Sequence, residues 1–319
     1  MKRVLLKVFL VPLLLTIIAI KAAAQYVTAF NRKLEIGLNL GPSNFLGDLG
    51  GNRGVGKTFL KDNNVELTKI ISGGFITYYP KEWLGFRLSG HYTKIEGNDA
   101  VIQRQGTAEE NRANRNLNFR SNIGELYLAA EFLPTVFFEN DDYLSGKFRP
   151  LVILGIGAFK FNPQTKYNGN WVDLRPLRTE GQGFAQYPDR KPYKNYAFCL
   201  PVGVGFKYYI NETFTLGGEA IHRFTTTDYI DDVSTKYIDP NLFAVNLTAS
   251  QAAMARDLAN RSLSGTYSDP LLPNNVGKIR GDSKQNDGYY SLALKLGWRL
   301  GSEDRSEYRR ARRQTRCYY

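Results

Sequence analysis

The stretch "GYYSLALKLGWRLG", Gly288–Gly301, puts Tyr290, Leu292, Leu294, Leu296 and Trp298 on one parity and Ser291, Lys295 and Arg299 on the other. Side chains alternate faces along a strand, so this segment makes a ribbon that is apolar on one side and polar on the other. The pattern recurs upstream. "AFCLPVGVGFKYYI", Ala197–Ile210, sets Phe198, Leu200, Val202, Val204, Phe206 and Tyr208 against Cys199, Gly203, Gly205 and Lys207. "WLGFRLSGHYTK", Trp83–Lys94, sets Leu84, Phe86, Leu88 and Tyr92 against Arg87, Ser89 and His91. "LEIGLNLG", Leu34–Gly41, does the same with Leu34, Ile36, Leu38 and Leu40. Weaker versions lie at 68–79, 121–133, 148–160 and 213–226. That makes eight strands, many near the roughly ten residues a tilted strand needs to cross a bilayer.

Alternation alone also fits a soluble β-sandwich. The connections separate the two. Long gaps at 42–67, 95–120, 161–194 and 227–287 alternate with short ones at "PKE", at 134–147 and at "NE", Asn211–Glu212. Long outer loops and short periplasmic turns are the signature of an outer-membrane barrel, and lipid requires closure because it cannot satisfy an open strand edge. Aromatics at strand ends ("TYYP", "EWLGF", "KYYI", "GYYS", "GWRL") suit interfacial girdles. The expected fold is therefore all-β: an eight-stranded antiparallel transmembrane outer-membrane β-barrel with long extracellular loops, a short helix in the last loop and both termini in the periplasm.

The N-terminus fits that compartment. "MKRVLLK" is a basic region, "VFLVPLLLTIIAI" an apolar run, and Ala22 and Ala24 occupy the small-residue positions of a cleavage site. This predicts a signal peptide at 1–24, a barrel at 25–301 and a basic periplasmic tail at 302–319. No Cys follows the cut, so a lipid-anchored lipoprotein is not expected. The net charge of +12 falls partly on the leader and on a tail with six Arg against three acids, so nucleic-acid binding is not the natural reading. Two cysteines, Cys199 and Cys317, exclude a disulfide-stapled fold. "GNRGVGKT", Gly51–Thr58, matches the phosphate-loop pattern at every fixed position. A phosphate loop also needs a buried strand before it and a helix after it. Neither flank supplies one, and the stretch falls in the first outer loop, so no nucleotide or other cofactor is expected.

An eight-stranded barrel is just wide enough to be filled by side chains. The inward parity carries Glu125, Glu131, Glu219, Arg87, Arg223, Lys207, Lys295 and Arg299, which predicts a plugged barrel with charges paired across the lumen. In the last loop, Leu247, Ala252, Met254, Ala255 and Leu258 recur at helical spacing, predicting a short amphipathic helix over 249–261 folded across the mouth. Asp228, Asp231, Asp232 and Asp239 gather enough oxygens to suggest calcium, but not at EF-hand spacing; the alternative is turn capping and pairing with loop cations. His91, with Glu125 opposite it and Ser89 nearby, allows a lipid-modifying reading, since a nucleophile needs a base and the base a third group to orient it. The other reading is a hydrogen-bonded packing histidine. His222 projects outward near the outer end. Cys199 should be shielded in the lumen. Cys317 lies in a tail with Arg309, Arg310, Arg312, Arg313 and Arg316 as partner-contact candidates; Arg312, Arg313 and Arg316 favour its thiolate, which suggests a crosslink to a periplasmic partner, the alternative being an idle Cys in a solvated tail.

Three stretches, "GPSNFLGDLGG", "RFTTTDYIDDVSTKYID" and "LANRS", occur in this order on the exported barrel and resemble the PorG-like outer-membrane proteins of Bacteroidota. The middle one, with Asp228, Tyr229, Asp231 and Asp232, is the most specific. A tail ending in Cys and aromatics is also similar, although the Arg-rich 309–316 is longer and more basic than the family's usual tail. The resemblance implies a non-enzymatic component of the type IX protein secretion and gliding-motility machinery. Its barrel would hold a periplasmic ring of the PorK lipoprotein and PorN against the outer membrane. Partner contact is then expected from turn 134–147 and tail 302–319, with outer-membrane lipid around the barrel. A surface-binding barrel acting through loop 227–287 is the alternative.

Overall fold

The computed structural model describes residues 33–50, 65–102, 109–139, 144, 146–263 and 276–301. Among the described residues ten strands occur: β1 (Leu34–Leu46), β2 (Lys69–Lys81), β3 (Leu84–Asn98), β4 (Asn118–Phe132), β5 (Phe148–Lys160), β6 (Pro163–Tyr167), β7 (Asn170–Asp173), β8 (Tyr196–Tyr209), β9 (Phe214–Thr225) and β10 (Gly288–Leu300). Eight of them form the wall, each antiparallel to the next in the order β1, β2, β3, β4, β5, β8, β9, β10. β10 then returns to β1, with Leu34 opposite Leu300 and Leu46 opposite Gly288. The eight-stranded wall thus closes on itself.

The wall's outer face decides between barrel and sandwich. Leu38 is 69 % exposed, Ile156 67 %, Phe198 65 % and Leu294 67 %. A sandwich would bury those faces against each other. Here they form an outward apolar belt whose natural solvent is hydrocarbon. Among the described residues no helix is long and apolar enough to cross a membrane.

β3 and β4 run for 15 residues each, longer than a crossing needs, and raise the wall beyond the bilayer at the long-loop end. There the lumen changes character. Inward Ile95, Phe119, Ile123, Phe159, Phe161 and Tyr289 form an apolar core with loop residues Leu177, Phe184, Ile230, Val233, Phe243 and Leu258. Above the membrane the strands and loops thus pack as a water-soluble domain does.

Helices complete this cap: α1 (Glu109–Arg115), α2 (Asn241–Asn246) and α3 (Ala249–Ala259). The expected helix is α3, ending two residues earlier than its spacing suggested. It buries Ala252, Ala255, Leu258 and Ala259 on one face. The long connection 161–194 contains the β6–β7 hairpin. Its turn is Asn168-Gly169, both at positive φ (48° and 82°), the residue pair that matches a two-residue turn to the right-handed strand twist. The expected signal peptide, the "GNRGVGKT" stretch and the tail lie outside the described residues.

Candidate functional site: the lumen and its outer mouth

At membrane level the lumen is a charge network. Arg87 Nη1 donates to Glu219 at 2.7 Å and lies 3.2 Å from Glu131. Lys207 Nζ meets Glu35 at 2.6 Å, and Lys295 Nζ reaches Glu131 at 3.2 Å and Glu219 at 3.3 Å. The Tyr79 hydroxyl donates to Glu131, and Lys207 donates to Tyr79. Thr215 Oγ1 adds a bond to Glu35 at 2.8 Å. A Cβ on Gly297 would lie 2.2 Å from Glu35 Oε1, so the carboxylate packs directly over this glycine on the lumen face. Higher up, Arg223 Nε donates to Glu125 Oε2 at 3.0 Å, and Tyr289 donates to the same carboxylate. Each side chain is buried, and four cations face four carboxylates. Charge can be held in such a site only when matched and hydrogen-bonded.

Of the expected inward set, Arg299 stands apart. It lies at the short-turn end beside Glu212, 3.8 Å away, and does not join the ring. Glu35, absent from that set, does join it.

His91 packs on Tyr127 with ring centroids 5.3 Å apart. The Asn39 amide lies 2.6 Å from Nε2, and Glu125 Oε1 lies 3.0 Å from Nδ1. Both ring nitrogens are occupied. The buried Ser89 Oγ makes no hydrogen bond. The nucleophile–base contact of the lipid-modifying reading is therefore not formed. His222 lies on the outer face against Phe224, with centroids 4.2 Å apart. Cys199 is a free, buried thiol on the lumen side.

The Asp-rich motif ties down the mouth. Asp231 accepts from the backbone N–H of Leu49 (3.1 Å) and Val233 (2.9 Å). Asp232, at φ 65°, accepts from Thr179 (2.5 Å) and Tyr193 (2.6 Å). Tyr229 stacks on Tyr193 at 4.8 Å. Asp239 leaves the group and accepts from the Asn241 N–H at 2.9 Å, at the start of α2. Among the described residues no three His, Cys, Asp or Glu side chains are placed to hold a metal ion. The motif's capping role is the one built here.

Two arginines that sequence reasoning passed over organise this cap. Arg115 pairs with Asp99 (2.8 Å) and donates to the carbonyls of Arg280 (2.6 Å) and Asp48 (2.5 Å). Arg280 donates to Glu180 (2.9 Å) and to the carbonyls of Asp232 (2.6 Å) and Ala259 (3.1 Å). Their partners come from all four long connections, so no local pattern announced them. The remaining acids are less well compensated. Burial lifts Asp228 to about 8, opposed by the Ser234 hydroxyl and reinforced by Asp48 and Glu180. Burial likewise lifts Asp48 and Asp232 to about 6, and pushes Asp231 and Asp287 well above the carboxylate range, with help from their acidic neighbours.

Comparison with known proteins adds the following. A family described as "Domain of unknown function (DUF6089)" matches residues 10–241. No curated protein matches the sequence. Among solved structures, the N-terminal β-barrel domain of Pseudomonas aeruginosa OprF is 11 % identical, covers 83 % of this chain and 96 % of its own, and has a TM-score of 0.31. Pseudomonas aeruginosa OprG is 10 % identical over 85 % and 98 %, with a TM-score of 0.32. Ail, the attachment invasion locus protein of Yersinia pestis, is 10 % identical over 83 % and 98 %, with a TM-score of 0.29. At these scores the likeness carries no functional inference, and the fold rests on the strand pairings above.

Proposed function

We propose, for a chain that belongs to the DUF6089 family, a non-enzymatic role as an outer-membrane barrel that anchors a periplasmic assembly of the type IX secretion and gliding kind. One observation supports this above the rest. The lumen is filled by matched charges at membrane level and by an apolar core at the mouth, so the barrel offers a fixed post in lipid and not a solvent passage. The short turns and both ends of the wall share one rim, which this reading puts in the periplasm. Phe138, 83 % exposed on the turn after β4, belongs to that rim. Turn 134–147 and the tail, with Arg309, Arg310, Arg312, Arg313, Arg316 and Cys317, would hold a ring of the PorK/PorN type. Affinity purification from gently solubilised outer membranes, with and without reductant, tests it. The full chain should recover the ring proteins, truncation after Gly301 should lose them, and Cys317→Ser should remove any reductant-sensitive adduct. Equal recovery by the truncated chain would refute the tail contact.

A second reading has its own support. The mouth is a built domain, knit by Arg115 and Arg280, and such a cap could present a binding surface outside the cell. Secretion that survives tail truncation would favour it. Altered lipid A in a His91→Ala strain would revive the enzyme.

A further inference from the structure

The apolar belt is interrupted around β3 and β4. On the outer face of β2, β3, β4, β5 and β8, paired positions run Gly74, Gly90, Leu126, Ala158, Phe198, and in the next row toward the mouth Ser72, Tyr92, Gly124, Lys160, Tyr196. Gly74 and Gly90 in the first row and Ser72 and Gly124 in the second leave the surface low there. A Cβ added to Gly124 would meet nothing within 4 Å, so its backbone lies open to the membrane side. The depression has a volume of about 610 Å³. A second, of about 570 Å³, shares Gly90 and Leu126 with it and carries the furrow toward the membrane centre. Tyr92 (57 % exposed) and Tyr196 (58 %) form its rim, where an aromatic girdle meets the headgroups.

The head of the furrow is cationic. Lys160 flanks Gly124 on β5, and Lys94 flanks Asn122 one row higher on β3. The two lysines stand on either side of β4, two strand spacings across and one row offset, with backbones about 12 Å apart. Lys194 lies over the Tyr196 ring, 5.4 Å from its centre. Among the described residues none of these three is paired with an acid, whereas Lys69 nearby is matched by Glu96 at 2.8 Å. Unmatched cations over an apolar furrow complement an anionic head on a hydrocarbon tail.

We propose that this furrow holds one phosphorylated lipid of the leaflet at the long-loop end, its acyl chain over Gly90 and Gly124 and its phosphate between Lys94 and Lys160. The inference rests on the membrane placement of the barrel and not on the secretion role. Native mass spectrometry of the full chain in detergent tests it, with phosphorylated lipid A, its dephosphorylated counterpart and inorganic phosphate as separate probes. Phosphorylated lipid A should be retained at one copy. Lys94→Gln and Lys160→Gln should each cost about fivefold and together abolish the preference for the phosphorylated form. Gly124→Leu fills open space, so the barrel should keep its heat-modifiable gel mobility while both lipids are lost. Equal retention of the two lipids by the parent chain, full retention by the double variant, or competition by inorganic phosphate alone would overturn the proposal. The lysine variants should leave recovery of periplasmic proteins unchanged, so failure here and failure of the anchoring reading are distinguishable.

Discussion

Glu131→Gln tests the lumen argument most directly. Glu131 has no exposed side-chain surface and lies within 3.2 Å of Arg87 and of Lys295 and 3.7 Å from Lys207. In the lower lumen Arg87, Lys207 and Lys295 are balanced by Glu35, Glu131 and Glu219. Glutamine keeps the shape but leaves one buried positive charge without a counterpart. Breaking a buried pair from one side costs about 3–5 kcal/mol, because the remaining charge has neither water nor a partner. For a barrel of this size each kcal/mol moves the midpoint by about 2–4 °C. The expected loss is therefore about 6–20 °C in heat-modifiable gel mobility. In reversible urea unfolding in lipid vesicles, followed by tryptophan fluorescence, it is the same 3–5 kcal/mol. Removing the excess charge should repair much of this. Glu131→Gln with Lys295→Met restores neutrality, and its cost should fall at least about 1 kcal/mol below the sum of the single variants. A single variant within about 1 kcal/mol of the parent, or a double variant no better than additive, would refute the balanced network.

Three further outcomes follow from the same geometry. The acids of the mouth have folded pKa values raised above their unfolded ones, so their contribution is complete below the unfolded value near 4. It is lost as pH rises through about 6 for Asp48 and Asp232 and about 8 for Asp228. Amide protection at Ile230 and Val233, corrected for intrinsic exchange, should fall between pH 5 and pH 9, and Asp228→Asn should flatten the upper part of that fall; protection that rises with pH would contradict it. Arg280→Ala strips Glu180 of its cation and should weaken the cap by about 3 kcal/mol, speeding proteolysis of loop 227–287 while the membrane-level wall stays heat-modifiable; unchanged cleavage would remove Arg280 from its central place. In planar bilayers the purified chain should give no discrete conductance steps, and regular steps would show that the lumen is hydrated.

How legible was this in the sequence? Strand number, outward faces and the alternation of long and short connections were written in period-two segments such as Gly288–Gly301, because each lipid-facing strand must satisfy that constraint by itself. The lumen position of Glu125, Glu131 and Glu219 followed from the same parity. Asn168-Gly169 carries the residue pair of a two-residue hairpin turn, a signal that sequence reasoning passed over. Helix α3 was read from its own spacing, within two residues.

The mouth was decided elsewhere. Arg115 and Arg280 are 165 residues apart in the chain yet joined by a hydrogen bond of 2.6 Å. Nothing in "ANR" or "KIRGD" distinguishes them from solvated cations. Asp239 and Asp232 sit seven positions apart in one motif, but the fold turns one toward Tyr193 and gives the other to a helix start. The sequence by itself determined which parity faces lipid, since the bilayer acts on every residue of a strand in the same way. Only the tertiary structure decided which buried charge meets which. That depends on barrel stagger and loop closure, where segments remote in sequence must neutralise one another within about 3 Å or not be buried at all.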